Sequence, residues 1–151
     1  MKELEGKKII VTGGSQGMGY ETVQAFVSEG ATVALMDIKD ELGQQAAEQA
    51  NSQGSGNAKF YHANVSDRSE VESAFAEAVE DMDGLDVLVN VAGVQRRKAA
   101  EDFTNEDLDF ILDINCAGRL SQTRPLSKPC ATLGVPFLTS GRMPVCHRCH
   151  C

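Results

Sequence analysis

Thr12, Gly13, Gly17 and Gly19 stand at the spacing T-G-x-x-x-G-x-G, directly after the apolar run Ile9-Ile10-Val11. Glycines at those intervals let a chain turn tightly between a strand and a helix. They also let backbone approach a phosphate that the first helical N–H groups can then hold. Ser15, Gln16 and Met18 fill the rest of that turn, and no arginine stands in it. An acid, Asp37, closes the next apolar run, 24 residues after Gly13. A carboxylate there can accept hydrogen bonds from ribose hydroxyls and would repel a 2′-phosphate. The chemistry implied is the binding of a dinucleotide, with NAD favoured over NADP. Lys39, two residues on, weighs against that preference. A plain glycine turn and an exposed strand-end acid are the structural alternatives.

Further polar and small residues follow two later apolar runs. Asn64-Val65 comes after Lys59–Ala63, and Asn90-Val91-Ala92-Gly93 ends Leu85–Val91. Ala92 and Gly93 carry almost no side chain and so admit a ribose close to the backbone. Asn90 suits either a loop brace or a ligand contact. Asn115 continues the stripe Leu108, Ile111, Leu112 at helical spacing, so the pattern turns it inward together with these three. A polar group on an inward face needs partners.

Alternating signals place these residues. Short apolar runs (Ile9–Val11, Ala31–Met36, Lys59–Ala63, Leu85–Val91) read as strands. Between them lie helical patterns at Gly17–Ser28, at 40–53, and after Ser66 and Asp67, where Val71, Ala74, Phe75, Ala78, Val79 and Met82 share one face. Thr104 can cap a last helix. Such alternation predicts an α/β fold: a Rossmann-type, doubly wound parallel sheet of about four strands in the order 3-2-1-4. The candidate ligand residues then fall at the C-terminal ends of the strands.

Residues 5–118 resemble the short-chain dehydrogenase/reductase family. The resemblance rests on Thr12-Gly13-Gly14-Ser15-Gln16-Gly17-Met18-Gly19, Asp37, Asn64-Val65, Asn90-Val91-Ala92-Gly93 and Asp113-Ile114-Asn115. It implies an oxidoreductase that moves a hydride between NAD(H) and a small carbonyl or secondary alcohol. It implies for Asn115 the role of a helix asparagine that holds a water near the catalytic lysine; an asparagine satisfied by local backbone at a helix end is the alternative. It further implies a catalytic serine, and a tyrosine followed four residues later by lysine. Here Gln24 follows Tyr20 and Val65 follows Tyr61 at that interval, so the pair is absent. The rival functional reading is a non-catalytic, dinucleotide-binding regulatory protein.

Composition changes abruptly near residue 118. All 22 acidic residues, and nine of the 14 basic ones, precede it. Residues 119–151 hold no acid, all four prolines, and all the cysteines but Cys116. Two segments are therefore expected: the dinucleotide-binding half of a Rossmann domain over 1–118, and an aberrant, disordered tail over 119–151. A truncation or frameshift is the expected origin of the break. The outer edge of the fourth strand is then expected to lack a partner, which favours association. The acidic body argues against nucleic acid, since phosphates would be repelled. No apolar run is long enough to span a bilayer, and MKELEGKK has no signal-peptide core, so the expected compartment is the cytoplasm. The ending Cys146-His147-Arg148-Cys149-His150-Cys151 contains Cys-x-x-Cys-His, but no metal is expected there.

Overall fold

The computed structural model describes residues 3–118 and 131–134. Its elements alternate as β1 (Lys8–Thr12), α1 (Gly17–Ser28), β2 (Thr32–Asp37), α2 (Asp40–Gln53), β3 (Asn57–His62), α3 (Arg68–Met82), β4 (Val87–Asn90), α4 (Asn105–Leu112) and β5 (Ala131–Gly134). All pairings are parallel, in the order β3-β2-β1-β4-β5. The predicted Rossmann-type order 3-2-1-4 is therefore present.

The fifth strand departs from expectation. Residues 131–134 pair with the outer edge of β4, with Val87 opposite Ala131 and Asn90 opposite Gly134. Predicting an unpaired edge there misjudged a short segment that its proline- and cysteine-rich surroundings disguise. The remainder of 119–151, including Cys146–Cys151 and Val135–Leu138, lies outside the described residues.

The central strands are apolar at nearly every position because both sheet faces are covered. On one face Ile9, Val11, Val33 and Leu35 pack beneath Val23 and Val27 of α1 and Ala46, Ala47 and Ala50 of α2. On the other, Ile10, Ala34, Met36 and Leu88 meet Val71, Ala74, Phe75, Ala78 and Met82 of α3. The predicted stripe of α3 is thus buried, apart from the partly exposed Val79. Asp67 caps that helix, accepting from the N–H groups of Ser69 and Glu70. Asp83, with φ 54°, ends it in the left-handed region, and Gly84 follows at φ 130°.

Helix α4 corrects the sequence reading. Leu108 and Leu112 were expected to face inward, yet they are 50% and 45% exposed, and Phe110 is 39% exposed. An amphipathic stripe records that a helix wants an apolar neighbour. It does not say which residues supply one, and here about half of each of these side chains stays exposed.

Two tests follow. Phe75→Ala should cost about 3–5 kcal/mol in urea unfolding, because it empties a core site. Leu108→Ala should cost under about 1 kcal/mol, since little apolar area is lost there. A second test concerns acid. The Lys59 ammonium and the Tyr61 hydroxyl both donate to Asp81 and hold its carboxyl below the ordinary range. A lowered folded value contributes stability above the unfolded value, near pH ~4, and loses it as pH falls through the folded one. Asp81→Asn should therefore lower the urea midpoint at pH 7, and the difference from the unmodified chain should shrink and vanish as the pH falls through the lowered value of the folded carboxyl.

Candidate functional site

The turn after β1 is built from close backbone approaches. Gly13 sits at φ 72°, and its N–H donates to Met36 O (2.7 Å). A Cβ on Gly13 would come within 2.6 Å of the Ala92 backbone, and one on Gly19 within 1.9 Å of Gly13 O. No rotamer relieves a backbone clash, so both positions demand glycine. Gly17 also has positive φ, 55°, but open space where its Cβ would stand. Helix α1 then starts with no side chain capping it and no acid in its first turn. Its positive end is left for something other than a protein carboxylate.

Asp37 faces this turn from the end of β2. Its Oδ2 accepts from the Ser15 N–H (3.2 Å) and hydroxyl (2.6 Å), and its Oδ1 from the Lys39 N–H (3.2 Å). The carboxylate thus holds the glycine turn, and retains lone pairs for further donors. Lys39 Nζ donates to Gln16 Oε1 (2.8 Å).

These elements surround a cleft of about 320 Å³ at the C-terminal ends of the strands. Gly13, Gln16, Met18, Gly19, Asp37, Asn64, Val65, Ala92 and Gly93 line it. Most of the residues singled out from the sequence therefore meet in one place. Ser15 is buried behind Asp37 and acts on it. Gly17 shapes the turn. Asn90 lies deeper, 4% exposed, and its Oδ1 has no hydrogen-bond partner among the described residues. The brace expected of it is not made through that oxygen.

Asn115 also stands back from the cleft. Its Oδ1 accepts from Val94 N–H (2.8 Å), and its Nδ2 donates to Val94 O (2.9 Å). This partner lies 21 residues away in the loop after β4, not at the local helix end. The helix widens to a π-helical turn over Asp113–Ala117, in which Asn115 sits. Ile114, its neighbour, and Val94 both line the cleft. Ile114 and Val91 enter the sequence reading only as members of longer motifs, and Val94, Ile38 and Ala63 carry no site expectation there; all five line the cleft. Apolar residues at strand and helix ends give no separate signal. A wider turn gives none either.

At the base of the loop, Asp67 and Asn64 fix the segment after β3. Asn64 Oδ1 accepts from the Ser66 N–H and hydroxyl, and Glu70 Oε2 from the Asn64 N–H (2.9 Å). The Ser69 hydroxyl, with the backbone N–H groups of Glu70 and Ser69, holds the Asp67 carboxyl below its usual range. Among the described residues there is no His, Cys, Asp and Glu grouping suited to a metal, and no helix long and apolar enough to cross a membrane.

Cyclopentanol dehydrogenase of Comamonas sp. (strain NCIMB 9872) is 37% identical over 129 residues, covering 85% of this chain and 51% of that protein. Two solved structures share the fold. An NADH-dependent reductase complexed with NAD matches with a TM-score of 0.75 and 28% identity, over 82% of this chain and 52% of that one. A short chain dehydrogenase from Burkholderia cenocepacia J2315 in complex with NADP matches with a TM-score of 0.80 and 28% identity, over 87% and 55%. The chain spans about half the length of the relatives it matches. The family model for short chain dehydrogenase matches residues 7–130, and on that match, borne by the glycine turn and the parallel sheet around it, this chain belongs to the short-chain dehydrogenase family.

Proposed function

We propose that this chain carries the dinucleotide-binding half of an oxidoreductase acting on a small carbonyl or secondary alcohol, and that it prefers NAD(H) to NADP(H). The observation that carries the reading is the uncapped, acid-free start of α1 set across one cleft from Asp37. The N–H groups at Gly17, Met18 and Gly19 suit a pyrophosphate, and the glycines keep side chains out of its way. Asp37 accepts from the adenosine ribose hydroxyls. Asn64 and Val65 form the adjoining wall. Ala92 and Gly93 offer bare backbone to the second ribose.

The nucleotide, when bound, supplies the hydride; the chain supplies place and field. A 2′-phosphate would stand against the Asp37 carboxylate, which favours NAD. Lys39 is the nearby counterweight, and its ammonium is drawn toward Gln16. Relatives of the fold hold either nucleotide, so the preference rests on Asp37 itself.

Proton transfer is a different matter. The 151 residues contain no Tyr-x-x-x-Lys. The two tyrosines present are committed elsewhere: Tyr20 donates to Gln49 Oε1 (2.7 Å) and Tyr61 to Asp81 Oδ2 (2.7 Å). Burial pushes the Tyr61 hydroxyl's pKa up, and the bond to Asp81 raises it further, the reverse of what a proton donor needs at neutral pH. These residues by themselves therefore bind without turnover.

Calorimetry on the purified chain should give weak NADH binding, tighter than NADPH, and Asp37→Ala should erase the difference. Tighter binding of NADPH by the unmodified chain would overturn the role of Asp37. Dehydrogenase and reductase assays with simple carbonyls and alcohols should read background, since acid–base catalysis alone is worth about 10²–10⁴-fold. A nucleotide-dependent rate that copurifies with the chain would refute this.

A further inference from the structure

Asp107 is the residue of α4 that the fold buries, at 4% exposure. Three hydrogen-bond donors and one further ion pair close on its carboxylate. Thr104 supplies its N–H (3.2 Å) and hydroxyl (3.1 Å), and the Asp107 N–H returns a bond to the Thr104 hydroxyl, completing a capping box. Lys98 Nζ and Arg96 Nη1 (3.2 Å) arrive from the loop after β4. The Arg96 guanidinium also lies over the Phe110 ring, 4.5 Å from its centroid.

A helix cap requires only the exchange with Thr104. The two cations do something the cap does not need: they tie residues 96 and 98 to α4. The same loop is tied at its start, where Asn115 holds both backbone groups of Val94. Between Val91 and Thr104 the chain has no strand partner among the described residues and one short 3-10 turn, Ala100–Asp102. Its course therefore depends on side-chain anchors. Gly93 and Val94 line the cleft. An exposed ion pair would make a poor anchor. Asp107 differs in that its carboxylate is covered and meets two cations and both Thr104 donors at once, so the contact is a shared network on a fixed acid although the two cations themselves stay partly exposed. The Lys98 ammonium and the Thr104 donors hold its carboxyl below the ordinary range.

We propose that Asp107 is a positioning residue for the nucleotide cleft, holding segment 94–98, whose first residue Val94 lines the cleft, in place through Arg96 and Lys98. The proposal rests on the dinucleotide reading above for its ligand, though not for its geometry. An amide at 107 still accepts from Thr104 but carries no charge to hold two cations. Asp107→Asn therefore separates the anchor from the cap, and Asp107→Glu restores the charge.

The test uses the full chain and two readouts. Amide hydrogen exchange at residues 94–98 should quicken in Asp107→Asn, while exchange in β1 stays as in the unmodified chain. The NADH dissociation constant, by calorimetry, should rise about threefold or more. Asp107→Glu should recover both. Lys98→Gln leaves the cap intact and should move the same amides in the same direction, which keeps the test open if Asp107→Asn folds poorly. Unchanged exchange at 94–98 in both Asp107→Asn and Lys98→Gln overturns the proposal. So does faster exchange with an unaltered NADH constant. Failure of the unmodified chain to bind NADH or NADPH sinks the nucleotide reading instead, and the exchange comparison still decides whether Asp107 anchors the loop.

Discussion

The backbone of Gly13 rests against that of Ala92, and Gly19 rests against Gly13. Neither contact leaves room for a Cβ. The turn after β1 and the first helical turn of α1, adjacent in sequence, thereby share one point with the loop after β4, which is distant from both. The approach sets the distance between the positive end of α1 and the bare backbone of Ala92 and Gly93. It also seats the turn over the end of β2, where Gly13 donates to Met36 O. Everything that lines the cleft is placed relative to this junction. A methyl group at either glycine would move backbone, not a side chain, so the constraint has no cheap relief.

Asp37 shows how one group serves the architecture and the chemistry together. Its bonds to Ser15 fix the glycine turn. Its charge faces the same space that the helix start leaves positive. An acid that worked only on a ligand could move freely; one that braces the turn is held in position before any ligand arrives. The loop after β4 follows the same logic at the other wall, where Asn115 holds Val94.

Much of this was legible in the sequence because it is written in strong local signals. The glycine spacing, the apolar runs and the α3 stripe each depend on one element and its neighbours, and the strand order 3-2-1-4 follows from their alternation. What escaped has a common cause. The Ser15–Asp37 and Asn115–Val94 bonds join residues 22 and 21 positions apart, and no period in the chain announces them. The π-helical turn at Asp113–Ala117 adds no residue type that a pattern could detect. Strand β5 is four residues long within a segment of unlike composition. The α4 stripe was legible as a stripe and misread as a core face, because periodicity reports amphipathicity and not its partner.

The division between binding and chemistry follows from where each is built. The cleft draws on strand ends β1 to β4, the start of α1 and the turn at Ile114, all before residue 118. Its shape needs only backbone approaches and short hydrogen bonds among those segments. Proton transfer needs something else: a group with a pKa near the working pH, placed beside the reacting oxygen. Tyr61 shows the opposite environment, buried and donating to a carboxylate that an ammonium already neutralises. The same residue type is thus a core brace here, because Asp81 stabilises its protonated form. The shape of the cleft and the pKa of a hydroxyl thus depend on different residues held by different contacts, so the one does not supply the other.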